Sequence, residues 1–240
     1  MNRRIFLNGS AAAIALTAAV FSVSCRQMFT TSLAAPLARD SITISSSAST
    51  SDILEIAATQ GLSDASSAQA VLSALGGKTE TEITALSAED RETVLNLASA
   101  ATISMETLTN LASAATADEA DPDALIEDFF AGFDSSADLR AVETILADTE
   151  NLSDLAPDAL ITASAVVVAD LASEVPAADL MTLLSGGTPE TELTEAQQAR
   201  FDLVLGVKAN IESRSDEELS SIEVGGFNLA DLLAGSGGDE

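Results

Sequence analysis

Carboxylates are the only reactive side chains this chain holds in quantity: 38 Asp and Glu stand against 10 Lys and Arg, with one cysteine and no histidine. The densest group, Asp118-Glu119-Ala120-Asp121-Pro122-Asp123 with Glu127 and Asp128 a turn later, could gather oxygen ligands around a hard cation. It lacks the central glycine and the ligand order of a calcium loop, so it reads as a solvated turn leading into a capped helix. Any two carboxylates that met in space could also share general acid and base work. The absence of Trp and Tyr removes the aromatic platform that a sugar substrate would need.

Other catalytic arrangements fare worse. Without histidine the chain has neither the commonest general base nor the commonest transition-metal ligand. Serine is abundant, but no Gly-x-Ser-x-Gly elbow occurs, and Lys78 and Lys208 are the only lysines available to activate a hydroxyl. Gly76-Gly77 and Gly186-Gly187 lack the flanking pattern of a phosphate loop. The expectation is therefore no catalytic residue, no metal and no cofactor. Phe129, Phe130 and Phe133 hold half of the six phenylalanines that follow residue 24. At helical spacing Phe129 and Phe133 share a face, with Phe130 beside them. They read as an aromatic plug of the core, and the sharper alternative is an exposed anchor for a protein partner or a lipid chain.

What must position these residues is a set of short helices. Small polar residues followed three positions later by an acid or Gln mark helix starts at Asp52/Glu55, Ser87/Asp90, Thr194/Gln197 and Ser215/Glu218. Pro122 and Pro157 sit where a first helical turn accepts proline, and Gly76-Gly77, Gly132 and Gly186-Gly187 act as stops. Val94, Leu97, Ala98 and Ala101 make one apolar face, and Ala196, Ala199, Leu203, Val207 and Ile211 make another. Residues 158–173 are apolar around the whole circumference and predict a buried central helix. A buried strand over Ala165–Ala169 is the rival, because three consecutive valines favour extended backbone. The predicted fold class is all-α: a compact bundle or curved array of about ten short helices.

An internal repeat refines that expectation. Gly76-Gly77-Lys78-Thr79-Glu80-Thr81-Glu82-Ile83-Thr84 matches Gly186-Gly187-Thr188-Pro189-Glu190-Thr191-Glu192-Leu193-Thr194 at six of nine positions. The same offset of 110 places Ile56 on Val166, Val94 on Val204 and Leu95 on Leu205. It points to two duplicated halves, 52–112 and 162–222, within a helical domain spanning 52–234. The phrase Leu86-Ser87-Ala88-Glu89-Asp90-Arg91-Glu92-Thr93-Val94-Leu95 resembles one helix of the short-helix arrays in flagellar rotor proteins and in the cytosolic gate of magnesium channels. That resemblance bears on architecture alone.

Residues 1–24 carry Arg3 and Arg4, no acid, and then an uncharged apolar stretch, the layout of a secretory signal peptide. The end of the run, Phe21-Ser22-Val23-Ser24-Cys25, resembles the lipobox of bacterial lipoproteins, with Ser22 where leucine is usual. The resemblance implies cleavage after Ser24 and lipidation of Cys25, which becomes the new N-terminus. The start Asn2-Arg3-Arg4-Ile5-Phe6-Leu7-Asn8 resembles the twin-arginine export motif through Arg3, Arg4, Phe6 and Leu7, with Asn8 in place of lysine. Ordinary export with adjacent arginines by coincidence stays open. So do a soluble form cut near Ala35 or Ala38 and a retained span over Ile5–Cys25. Residues 25–51, rich in Ser, Thr and Ala, read as a flexible tether, and 235–240 as a disordered tail.

Charge narrows the partners. The whole chain carries −28, and loss of the signal leaves eight basic residues against 38 acids, a net −30. Such a surface repels phosphate, so nucleic acid is excluded as a partner. Acids spread along the chain with scarce lysine suggest a high-salt habitat, where screening relieves self-repulsion. The sequence thus implies a non-catalytic scaffold or protein-interaction domain, lipid-anchored to a membrane of the cell envelope, with an envelope protein as partner. A helical module for a hydrophobic or lipid ligand is the alternative, and a carboxylate-dependent enzyme the second.

Overall fold

A computed structural model describes residues 42–60, 65–103, 130–184, 187–215, 223–224 and 227–228. Its elements are α1 (Thr50–Gln60), α2 (Ala65–Gly76), α3 (Glu80–Thr84), α4 (Ala88–Thr102), α5 (Arg140–Ala147), a 3-10 turn (Leu152–Asp154), α6 (Pro157–Leu171), α7 (Ala177–Leu184) and α8 (Glu195–Glu212). Two-residue strands β1 (Glu223–Val224) and β2 (Phe227–Asn228) pair antiparallel, which no sequence pattern anticipated. The described residues thus hold eight α-helices where about ten were expected along the whole chain.

The centre is α6. Pro157 occupies its first turn, where the missing N–H costs nothing, and Ala159, Leu160 and every residue from Thr162 to Ala169 are buried. An apolar surface on all sides demands neighbours on all sides: α4 and α8 pack along it, and α5 crosses it more lightly. The hydroxyl of buried Thr162 donates to the Asp158 carbonyl at 2.8 Å, so its polarity is satisfied within the helix. The rival strand over Ala165–Ala169 is excluded. Valine's extended preference amounts to a few tenths of a kcal/mol per residue, whereas burial of each such side chain contributes ~1.5–3 kcal/mol.

Outward from α6, α2 packs on α4 and α1 on α2, while α5 lies across α3 and α8. The capping signals at Ser87 and Thr194 hold: Ser87 Oγ accepts from the Asp90 N–H, and Thr194 and Gln197 form a reciprocal box. At the first helix the register differs. Ser49, not Asp52, caps α1, with Asp52 accepting from the Ser49 N–H at 3.1 Å and Ser49 Oγ accepting from the Asp52 N–H at 3.2 Å. Ile44 and Ala48 pack against the core, so the folded part begins ahead of residue 52 and the stretch 44–51 belongs to it, not to a tether. The expected start at Ser215/Glu218 falls partly outside the described residues.

The central helix also borrows a cap. Its N-cap residue, Ala156, has no side chain able to accept, and Glu92 of α4 reaches across so that Oε1 accepts the Ala156 N–H at 2.7 Å. Glu92→Ala is expected to cost ~1–2 kcal/mol, because a half-buried donor at a helix start loses the carboxylate that accepts it. A urea midpoint that stays put would show that water replaces the carboxylate without loss.

Candidate functional site

Among the described residues, a concentration of charge lies where α5, the C-terminal end of α6 and α8 meet. Arg200 projects from α8 and binds three carboxylates at once. Nε donates to Glu143 Oε1 at 2.8 Å, Nη1 to Glu174 Oε1 at 3.2 Å, and Nη2 to Asp170 Oδ2. Gln197, one turn earlier on α8, donates to the other oxygen of Glu174 at 3.1 Å. The Arg200 side chain is 17% exposed and that of Asp170 15%, so much of this network is shielded from water. Asp170 and Glu174 stand four residues apart at the end of α6, and the capping box at Thr194 sets α8 in register to meet them.

Two open clefts flank this knot. One, of about 480 Å³, is floored by the Arg140, Glu143, Thr144 and Ala147 face of α5 and walled by Ile83 and Leu203. The other, of about 350 Å³, lies toward Ser135, Asp138 and Ser173, and the two share Arg140, Glu143 and Arg200. Arg140 clasps Asp138 with Nε at 2.9 Å and Nη2 at 2.6 Å. Gly76 closes against the same carboxylate: a Cβ there would stand 2.5 Å from Asp138 Oδ2, so α2 ends on a residue that lets the two surfaces touch.

The arrangement ties three elements to one side chain. Glu143, Asp170 and Glu174 each turn an oxygen onto one guanidinium, whereas a paired-carboxylate hydrolase needs two carboxyl groups facing a shared substrate or water. No group of three carboxylates among the described residues is placed to share a metal ion. The scarce cations elsewhere are spent the same way. Arg91, itself buried, donates to the Thr84 carbonyl at 2.6 Å and lies 3.6 Å from Asp148. Arg214 closes the 3-10 turn by donating to the Leu152 and Leu155 carbonyls at 2.9 and 2.8 Å. Lys78 holds the Ser46 and Ala48 carbonyls, and Lys208 pairs with Glu212. Thus all six basic residues among the described ones make structural bonds.

Several carboxylates are held below their ordinary range. The Ser49 hydroxyl lowers Asp52, and the Thr79 N–H lowers Glu82. Hydrogen bonds from Ser136 lower Asp134, and those from Arg140 lower Asp138. Asp179 is lowered by the Glu190 N–H, with Thr191 adding to it. A depressed folded value stabilises the protein above the unfolded pKa of about 4 and loses that contribution as pH falls through the folded value. The stability difference between wild type and Asp179→Asn should therefore be constant above about pH 5 and close below about pH 4. Comparing the two proteins cancels the global charge effect, and a difference that ignores pH would refute the assignment.

Of the residues singled out by sequence, Phe130 and Phe133 are described. Both are half-buried and pack against the core, and Phe133 forms an antiparallel bridge with Ile103. Asp134 donates its N–H to the Thr102 carbonyl at 2.8 Å, and Gln69 ties Ala101 to Asp134, so the chain is pinned beside the end of α4. Arg3, Arg4, Phe6, Leu7, Ser24, Cys25 and Phe129 lie outside the described residues, as do the acidic run 118–128 and the tail. The Arg200 knot was not anticipated. The one signal for it was scarcity: with so few cations in so acidic a chain, each must satisfy several partners. Among the described residues no helix is long and apolar enough to cross a membrane.

The fold and site define the chain as an all-α domain organised around one enclosed helix. No family, curated protein or solved structure matches it.

Proposed function

We propose that this chain is an exported lipoprotein, anchored through acylated Cys25, whose helical domain works as a non-catalytic scaffold or protein-interaction domain in the cell envelope. The observation that carries the reading is the segment Phe21-Ser22-Val23-Ser24-Cys25 closing an uncharged apolar run behind Arg3 and Arg4. Attachment through two or more acyl chains makes the membrane association stable where one chain would be marginal. Around that address the chemistry is passive. Every described cation is bonded to a carboxylate or a backbone carbonyl, Arg91, Arg200 and Arg214 linking separate elements, while the lone thiol is consumed by the anchor and histidine is absent. A surface at net −30 favours a protein partner with a basic face and disfavours nucleic acid.

The hydrophobic-ligand reading has less support. Neither cleft is lined by Phe130, Phe133 or the valines of α6, and both open to solvent between charged side chains. We also propose that the two halves, 52–112 and 162–222, arose by duplication. Shifted by 110 residues, α1 falls within α6, α2 over α7 and α4 within α8. Packing has diverged since: α2 lies on α4, whereas α6 lies directly on α8.

The test is the mass of the N-terminal fragment of the membrane-associated protein. The expected product begins at Cys25 and carries a diacylglyceryl group on its sulfur. An unmodified Cys25, or a retained segment 1–24, overturns the proposal.

A further inference from the structure

We draw no further inference here: the strongest candidate, the open cleft floored by α5 and walled by α3 and α8, carries nothing because nothing in the structure shows what covers it.

Discussion

Val167→Asp is expected to abolish cooperative folding. Val167 is fully buried on the central helix, between neighbours Val166 and Val168 that are equally enclosed. A carboxylate there has no cation among the α6 residues around it and must either desolvate a charge or bind a proton; either route costs at least ~4–7 kcal/mol. A domain of this size is stable by only ~5–15 kcal/mol in total, so one such change consumes much or all of it. Val167→Ala, which removes two methyl groups and leaves a small void, should cost about 2 kcal/mol and keep a sharp melt. Without Trp or Tyr the readout is far-ultraviolet circular dichroism at 222 nm. A helical signal and a melting midpoint within a few degrees of wild type in the aspartate variant would refute the enclosed position of α6.

The place of α6 in the fold is legible in the sequence itself. Its boundary and burial follow from short-range rules: Pro157 opens it, and an apolar circumference leaves it nowhere to go but inside. The caps at Ser87 and Thr194 were readable for the same reason, since a capping hydroxyl and its N–H lie within three residues. Where letters recur, local rules also show how one pattern gives two structures. Thr79 caps α3 through the Glu82 N–H, and at the equivalent place in the repeat stands Pro189, which has no capping oxygen. Residues 190–194 are accordingly not helical; instead Asp179 accepts from the Glu190 and Thr191 N–H groups at 2.9 and 3.2 Å.

The charged knot was illegible for the opposite reason. Arg200 meets Glu143, Asp170 and Glu174 across separations of 57, 30 and 26 residues, and no local period links them. Only the packing of α5, α6 and α8 brings them together. The start of the folded part was misplaced by a similar effect: the serines at 45–47 and 49 look like linker, yet Lys78 holds the Ser46 and Ala48 carbonyls from more than 29 residues away. Long-range polar bonds decided both cases, and composition pointed to neither.

Arg200→Met should destabilise the domain by ~2–3 kcal/mol, because it leaves three carboxylates facing one another in a shielded space after removing the charge that offsets them. The figure stands below the ~3–5 kcal/mol of a fully buried pair, since Glu174 is 49% exposed and solvent screens it. Global charge cannot produce the effect. Lys208→Met removes the same single charge from a pair whose side chains are 56% and 50% exposed, and its expected cost is under ~0.5 kcal/mol. Arg200→Lys should recover only part of the loss, as one ammonium lacks the planar fork that reaches three acceptors. Asp170→Asn in the Arg200→Met background should restore stability by removing the most shielded of the uncompensated charges. Equal urea midpoints for Arg200→Met and Lys208→Met would mean that the knot is a surface accident and that α8 is held to α5 and α6 by apolar packing through Phe201, Val204 and Val207 alone.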